Sequence, residues 1–295
     1  MTNLQLRGVF TALVTPFRRD GAVDIEVFRR LVERQLAAGV AGLVPCATTG
    51  EAPALDDREW DELVGVAVSA ARGRALVIPG AGTNNTARSV SRVRRARELG
   101  ADAALVVTPY YNKPNPDGLV EHFRRVAGEG GLPVVLYNVP GRTGLNVPPD
   151  LALRIAELPG VVGIKEASGS MVQVMNILEG RRPEFAMLSG EDELTCAMLL
   201  MGGEGVISVI ANVDPAGTRK MVDLALAGSA GAARAEHYRL APLVRALFAE
   251  TNPVPCKAAL ALLGLAEDVV RPPLAPASAA TREKLVAGLA HAGLR

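Results

Sequence analysis

Short apolar, β-branched runs recur along the chain. Each is closed by Gly, Pro or polar residues and followed by an amphipathic stretch. The runs cover 8–17, 42–47, 75–82, 103–111, 133–140, 161–168, 185–191 and 205–211. Continuous apolar segments such as Ala103-Ala104-Leu105-Val106-Val107 suit parallel strands buried on both faces. Helical periodicity fills the gaps. The segment 24–38 places Ile25, Phe28, Leu31, Val32 and Leu36 on one face, and 56–71, 86–99 and 117–127 read as helices. Thr86 is the expected N-cap of the third helix, Gly100 lies just beyond its end, and Pro149-Asp150 opens another helix.

Eight strand–helix units spaced at roughly 30 residues predict a closed barrel rather than an open sheet. After about residue 225 the strand signal stops. Segments 230–250, 255–263 and 280–292 read as helices, with a Pro-rich stretch at 271–276. The expectation is an α/β chain: a (β/α)8 TIM barrel over 1–225 and a C-terminal helical appendage over 226–295. A length of 295 residues agrees, since such barrels commonly run to about 250 residues as one domain.

Composition narrows the function classes. Lys plus Arg is 32 and Asp plus Glu is 31, so no strong field favours nucleic acid or an anionic membrane. Aromatics at 4% disfavour base-stacking platforms. No basic region precedes an apolar run at the N-terminus, and no apolar stretch reaches about 18 residues, so neither a signal peptide nor a membrane span is expected. Cys46, Cys196 and Cys256 lie far apart and read as reduced thiols of a cytoplasmic protein, and His122, His237 and His291 suggest no metal site. Gly80-Ala81-Gly82 lacks the rest of a dinucleotide fingerprint.

Chemistry is expected where barrel strands end. Strand six ends in Gly163-Ile164-Lys165-Glu166. A lysine in a buried strand is unusual, and burial frees its amine for imine chemistry. On the lysine alone, a structural ion pair with Glu166 or another carboxylate stands beside that reading. Tyr137 ends strand five and can move protons. Read singly, Tyr137 and Tyr111 are equally rim tyrosines. Thr48-Thr49-Gly50 can offer hydroxyls and backbone N–H groups to a carboxylate, and Arg142 can hold one bidentately or simply be solvated. Glu191-Asp192 reads as the acidic first turn of a helix rather than a cation ligand.

Taken together, these residues make a resemblance. Thr48-Thr-Gly-Glu51, the strand-five tyrosine and Gly163-Ile-Lys165 mark the N-acetylneuraminate lyase superfamily. Tyr137-Asn-Val-Pro-Gly-Arg-Thr-Gly144 and Thr108-Pro-Tyr-Tyr-Asn112 resemble its dihydrodipicolinate synthases, with similarity running from Thr11 to Leu294. The resemblance implies a lyase that condenses pyruvate with L-aspartate-4-semialdehyde, in lysine and diaminopimelate biosynthesis. Lys165 would form the imine, so no cofactor or metal is implied. Tyr137, Thr48 and Tyr111 would relay protons, Tyr111 from an adjoining subunit of a homotetramer built as a dimer of dimers. Thr49 would bind the pyruvate carboxylate and Arg142 that of the second substrate, while Gly190 and Ile207 would give backbone contacts. The alternative is another pyruvate aldolase or dehydratase of the superfamily, acting on a sugar acid or hydroxy-oxo acid. A non-catalytic keto-acid-binding barrel is the reading from a different class. At the positions that hold lysine in feedback-inhibited relatives, this chain has Ala52, Pro53, Asp57, Trp60, Asn84 and Arg88. An arginine there would repel an ammonium ligand, so weak or absent lysine feedback is expected.

Overall fold

The computed structural model describes residues 4–295. Eight strands form one parallel sheet: β1 (Gly8–Ala12), β2 (Gly42–Val44), β3 (Leu76–Val77), β4 (Ala104–Val107), β5 (Val134–Asn138), β6 (Val161–Glu166), β7 (Ala186–Ser189) and β8 (Gly205–Ser208). Their order is β3-β2-β1-β8-β7-β6-β5-β4. The two ends meet through a parallel bridge between Gly80 and Leu105, with Ala81 N donating to Leu105 O at 2.9 Å and Leu105 N to Pro79 O at 3.0 Å. The expected (β/α)8 barrel is therefore what the chain forms. β3 is cut to two residues because Pro79 cannot donate to the ladder.

Alternation along the strands sorts two layers. Val134, Leu136, Ile164 and Met187 face the helices, whereas Val135, Tyr137 and Leu188 share the inner cluster with Phe10, Val44, Ile78 and Ile207. Lys165 is the residue after outward-facing Ile164, so it falls on the inner side, like Tyr137 on the neighbouring strand.

Twelve α-helices occur among the described residues. The third, Thr86–Glu98, corrects one expectation. Its N-cap is Asn85, whose side chain accepts from Arg88 N, while the Thr86 hydroxyl turns to His122 Nδ1 at 3.0 Å. The C-terminal helices Ala230–Leu247, Val254–Leu262 and Ala279–His291 contribute Leu240, Leu243, Leu260 and Leu285 to the same buried cluster as Phe28 and Trp60 of the first two helices. This shared core carries the segment 252–257 to the mouth of the barrel.

Candidate active site

Five strand ends converge, those of β2, β5, β6, β7 and β8. Tyr137 and Lys165 are direct partners in the β5–β6 ladder. Lys165 is 4% exposed, and its Nζ sits 4.2 Å from the centre of the Tyr137 ring. The alternative of a structural ion pair does not hold: no carboxylate among the described residues lies within salt-bridge distance of Lys165, and Glu191 and Asp192 interact with it only at longer range. Glu166 points the other way, as strand alternation requires. Its carboxylate accepts from Asn138 Nδ2 at 3.0 Å, Gln173 Nε2 at 3.1 Å and Ser168 N at 2.6 Å. Three donors satisfy it and lock the ends of β5 and β6 together.

Gly190 closes one flank of the lysine. A Cβ there would lie 2.6 Å from Ala167 Cβ, 3.0 Å from Glu166 O and 3.1 Å from Lys165 Cε. Only a glycine lets the backbone approach the lysine stem this closely. Its N–H already donates to Glu166 O at 2.7 Å, which leaves the carbonyl as the group it can offer. Ile207 is buried in the inner cluster beside it.

Thr48 and Thr49 occupy a tight turn after β2. Cys46 and Glu51, at its two ends, both have φ of 54°. Gly50 N donates to Ala47 O and Glu51 N to Thr48 O, so these two N–H groups are spent inside the turn. The N–H groups of Thr48 and Thr49 are the ones left to bind an anion. Thr49 Oγ1 accepts from Asn252 Nδ2 at 2.9 Å, and Arg142 Nη2 donates to Asn252 O at 3.0 Å. One residue of the C-terminal region thus links the two expected carboxylate binders. Asn252 Oδ1 is buried without a partner.

A cavity of about 610 Å³ opens above this floor. Thr48, Tyr137, Val139 and Arg142 line one part of it, and Ala52, Pro53, Asn84, Arg88 and Arg92 another. Lys165 Nζ packs against the ring of Tyr137, one of the residues that line this cavity. Tyr111 is elsewhere in character: it is 90% exposed, has a φ of 70°, and its hydroxyl bonds to no described residue. Within one chain the structure therefore brings together Lys165, Tyr137, Thr48, Thr49, Arg142, Gly190 and Ile207, but leaves Tyr111 projecting outward.

The acidic pair corrects a second expectation. Helix Thr195–Leu200 begins after Asp192, and the Asp192 carboxylate instead accepts from Val209 N at 2.9 Å and Ile210 N at 3.0 Å. It holds the turn that follows β8. Burial pushes the Asp192 carboxyl above its ordinary range, against the pull of these hydrogen bonds, and burial followed by the neighbouring Asp192 charge does the same to Glu191. No group of three or more His, Cys, Asp or Glu among the described residues is placed to hold a metal ion. No helix among them is long and apolar enough to cross a membrane.

Comparison with known proteins gives this arrangement its context. Residues 5–292 match the dihydrodipicolinate synthetase family. The chain belongs to that family. It is 50% identical over 285 residues to a 4-hydroxy-tetrahydrodipicolinate synthase of Thermomicrobium roseum, covering 97% of this chain and 94% of the relative. It is 49% identical to that of Methanothrix thermoacetophila, over 95% and 94% of the two chains. The dihydrodipicolinate synthase of Thermotoga maritima superposes with a TM-score of 0.96 at 45% identity, over 98% and 99% of the two chains. The chloride-inhibited Acinetobacter baumannii enzyme, solved with pyruvate, gives 0.97 at 38% identity over 99% and 100%.

Two buried residues escaped the sequence reading. Asn252 and Lys257 both come from the C-terminal region, in Asn252-Pro-Val-Pro-Cys-Lys257. A lone lysine in an otherwise apolar helix is the same signal that singled out Lys165.

Proposed function

We propose that this chain, a lyase of the dihydrodipicolinate synthetase family, condenses pyruvate with L-aspartate-4-semialdehyde to 4-hydroxy-tetrahydrodipicolinate through an imine at Lys165. The observation that carries the chemistry is a lysine inside the barrel, 4% exposed, without a carboxylate partner and under the ring of Tyr137. Full-length identity of up to 50% to curated synthases supports the choice of reaction.

The Lys165 amine adds to the pyruvate ketone, and water leaves as the protonated imine forms. The iminium withdraws electrons from the methyl group, which loses a proton to give an enamine. The enamine carbon attacks the aldehyde of the second substrate. The substrate's own amine then closes the ring at the imine carbon and displaces Lys165. No organic cofactor enters this sequence.

Tyr137 and Thr48 move the protons in this reading, and the Thr48 and Thr49 N–H groups receive the pyruvate carboxylate. Arg142 at the cavity rim takes the carboxylate of the second substrate, in keeping with its fork of donors. Tyr111 completes the relay from a neighbouring subunit. Its exposure and left-handed backbone support such a reach, and a cytoplasmic homotetramer is part of the same proposal. The test is a coupled assay with pyruvate, aspartate semialdehyde and the downstream reductase. Steady nicotinamide oxidation supports the synthase. Turnover of a sugar acid or hydroxy-oxo acid without it would favour the aldolase alternative.

A further inference from the structure

We propose that Glu51 and Lys257 form a buried brace that sets the position of the Thr48-Thr49 turn. They would be positioning residues for the reaction, supplied from opposite ends of the chain. The inference rests on the reading of Thr48 and Thr49 given above.

Glu51 closes the turn in a left-handed backbone conformation, 4% exposed, as Cys46 opens it in the same conformation. Residues other than glycine hold such a conformation only where their surroundings impose it. Cys46 is held in the buried cluster that includes Leu13 and Trp60. At Glu51 the restraint is the carboxylate. Its Oε1 pairs with Lys257 Nζ, and its Oε2 accepts from Arg271 N at 3.0 Å. Lys257 is 1% exposed, donates also to Val269 O at 2.7 Å, and lies 4.0 Å above the Phe17 ring. The Arg271 guanidinium stacks on the same ring at 4.2 Å and grips Glu59, Gly21 O and Ala54 O.

Lys257 and Arg271 are thus anchored to several elements, and Glu51 ties the turn to the ammonium of one and the backbone of the other, while Thr15 Oγ1 donates to Gly50 O within the turn at 2.7 Å. Burial lowers the Lys257 ammonium to about 8, opposed by the Glu51 charge. A buried pair of this kind is weak evidence for stability alone, because apolar residues could fill the space as well. Its direction is informative. The peptide that it pins is the one bearing the two threonines, three and two residues before Glu51. The second tie from the C-terminal region, Asn252 Nδ2 to Thr49 Oγ1, acts on the same turn.

The test compares the parent with the double variant Glu51→Gln/Lys257→Met, which neutralises both partners and avoids stranding one buried charge. Thermal midpoint, pyruvate KM and kcat are measured, together with borohydride trapping of pyruvate on Lys165. The expected result is a midpoint within a few degrees of the parent with a pyruvate KM raised about tenfold or more. A folded double variant with the parent's KM and kcat would make the pair structural only and overturn the proposal. Glu51→Asp decides the matter if the double variant does not fold. It keeps both charges but draws the turn back by one methylene, and an unchanged pyruvate KM there also overturns the brace. Absent trapping in the parent would instead remove the imine reading on which the brace rests.

Discussion

Replacing Tyr137 with Phe separates the relay from the fold. The ring stays and so does its 4.2 Å contact with Lys165 Nζ, because both depend on the aromatic face. Only the hydroxyl is lost. That hydroxyl bonds to no described residue, and Tyr137 lines the open cavity. Its removal therefore strands no buried partner, which is the usual source of a large penalty. The stability change is expected below about 1 kcal/mol, or about 3 °C in the thermal midpoint. Proton transfer by a positioned side chain contributes about 10²- to 10⁴-fold. We therefore expect kcat to fall at least about 100-fold in the coupled assay, while the amine of Lys165 remains trappable by borohydride with pyruvate. A kcat within threefold of the parent would refute the assignment of Tyr137 to the relay. A large fall in midpoint alongside the lost rate would refute the argument that the hydroxyl is structurally idle.

Three further outcomes follow from the geometry. Gly190→Ala drives a methyl into Ala167 and the Lys165 stem, so it should cost about 1–3 kcal/mol and slow borohydride trapping, whereas parent-like trapping would show that the contact yields. His122 is buried with Nε2 unpartnered, and burial lowers it to about 4 from 6.5. The folded state then binds fewer protons, so its contribution is full above pH 6.5 and is lost as pH falls towards 4, about 3 kcal/mol at roughly 1.4 kcal/mol per pH unit. His122→Gln should flatten that part of the stability profile, and unchanged acid sensitivity by thermal denaturation would contradict it. Free lysine should inhibit weakly or not at all, since Arg88 lines the cavity and Trp60 is buried with its N–H spent on Gly80 O at 3.1 Å. Half-inhibition at sub-millimolar lysine would count against this.

What the chain discloses before folding follows the range of each interaction. The strands were legible because both faces of the sheet are buried, so β4 and β5 read as unbroken apolar runs. Strand starts could be located to within one residue, whereas the expected runs overshoot the strand ends by two to five residues; even so, the order of the elements sufficed to put Tyr137, Lys165 and the Thr48-Thr49 turn at one rim. Caps were less legible. Asn85 and Thr86 are both good cap residues, and only the position of His122 on a neighbouring helix shows where the threonine hydroxyl goes. The role of Asp192 was hidden for the same reason, since the N–H groups that donate to its carboxylate lie on the turn after β8. Glu51–Lys257 and Thr49–Asn252 join positions more than two hundred residues apart, a distance at which local pattern carries nothing. Even so, Lys257 in its apolar helix and Glu51 in its buried turn each break the pattern around them, and each implies an opposite charge somewhere in the fold.

The central claim is that Lys165 forms the imine with pyruvate. It is tested most directly by borohydride reduction of the enzyme in the presence of pyruvate, followed by peptide mass mapping. A reduced pyruvate adduct is expected on the peptide that carries Lys165, and none in Lys165→Met. An unmodified Lys165 peptide, or an adduct on another lysine such as Lys257, would contradict it.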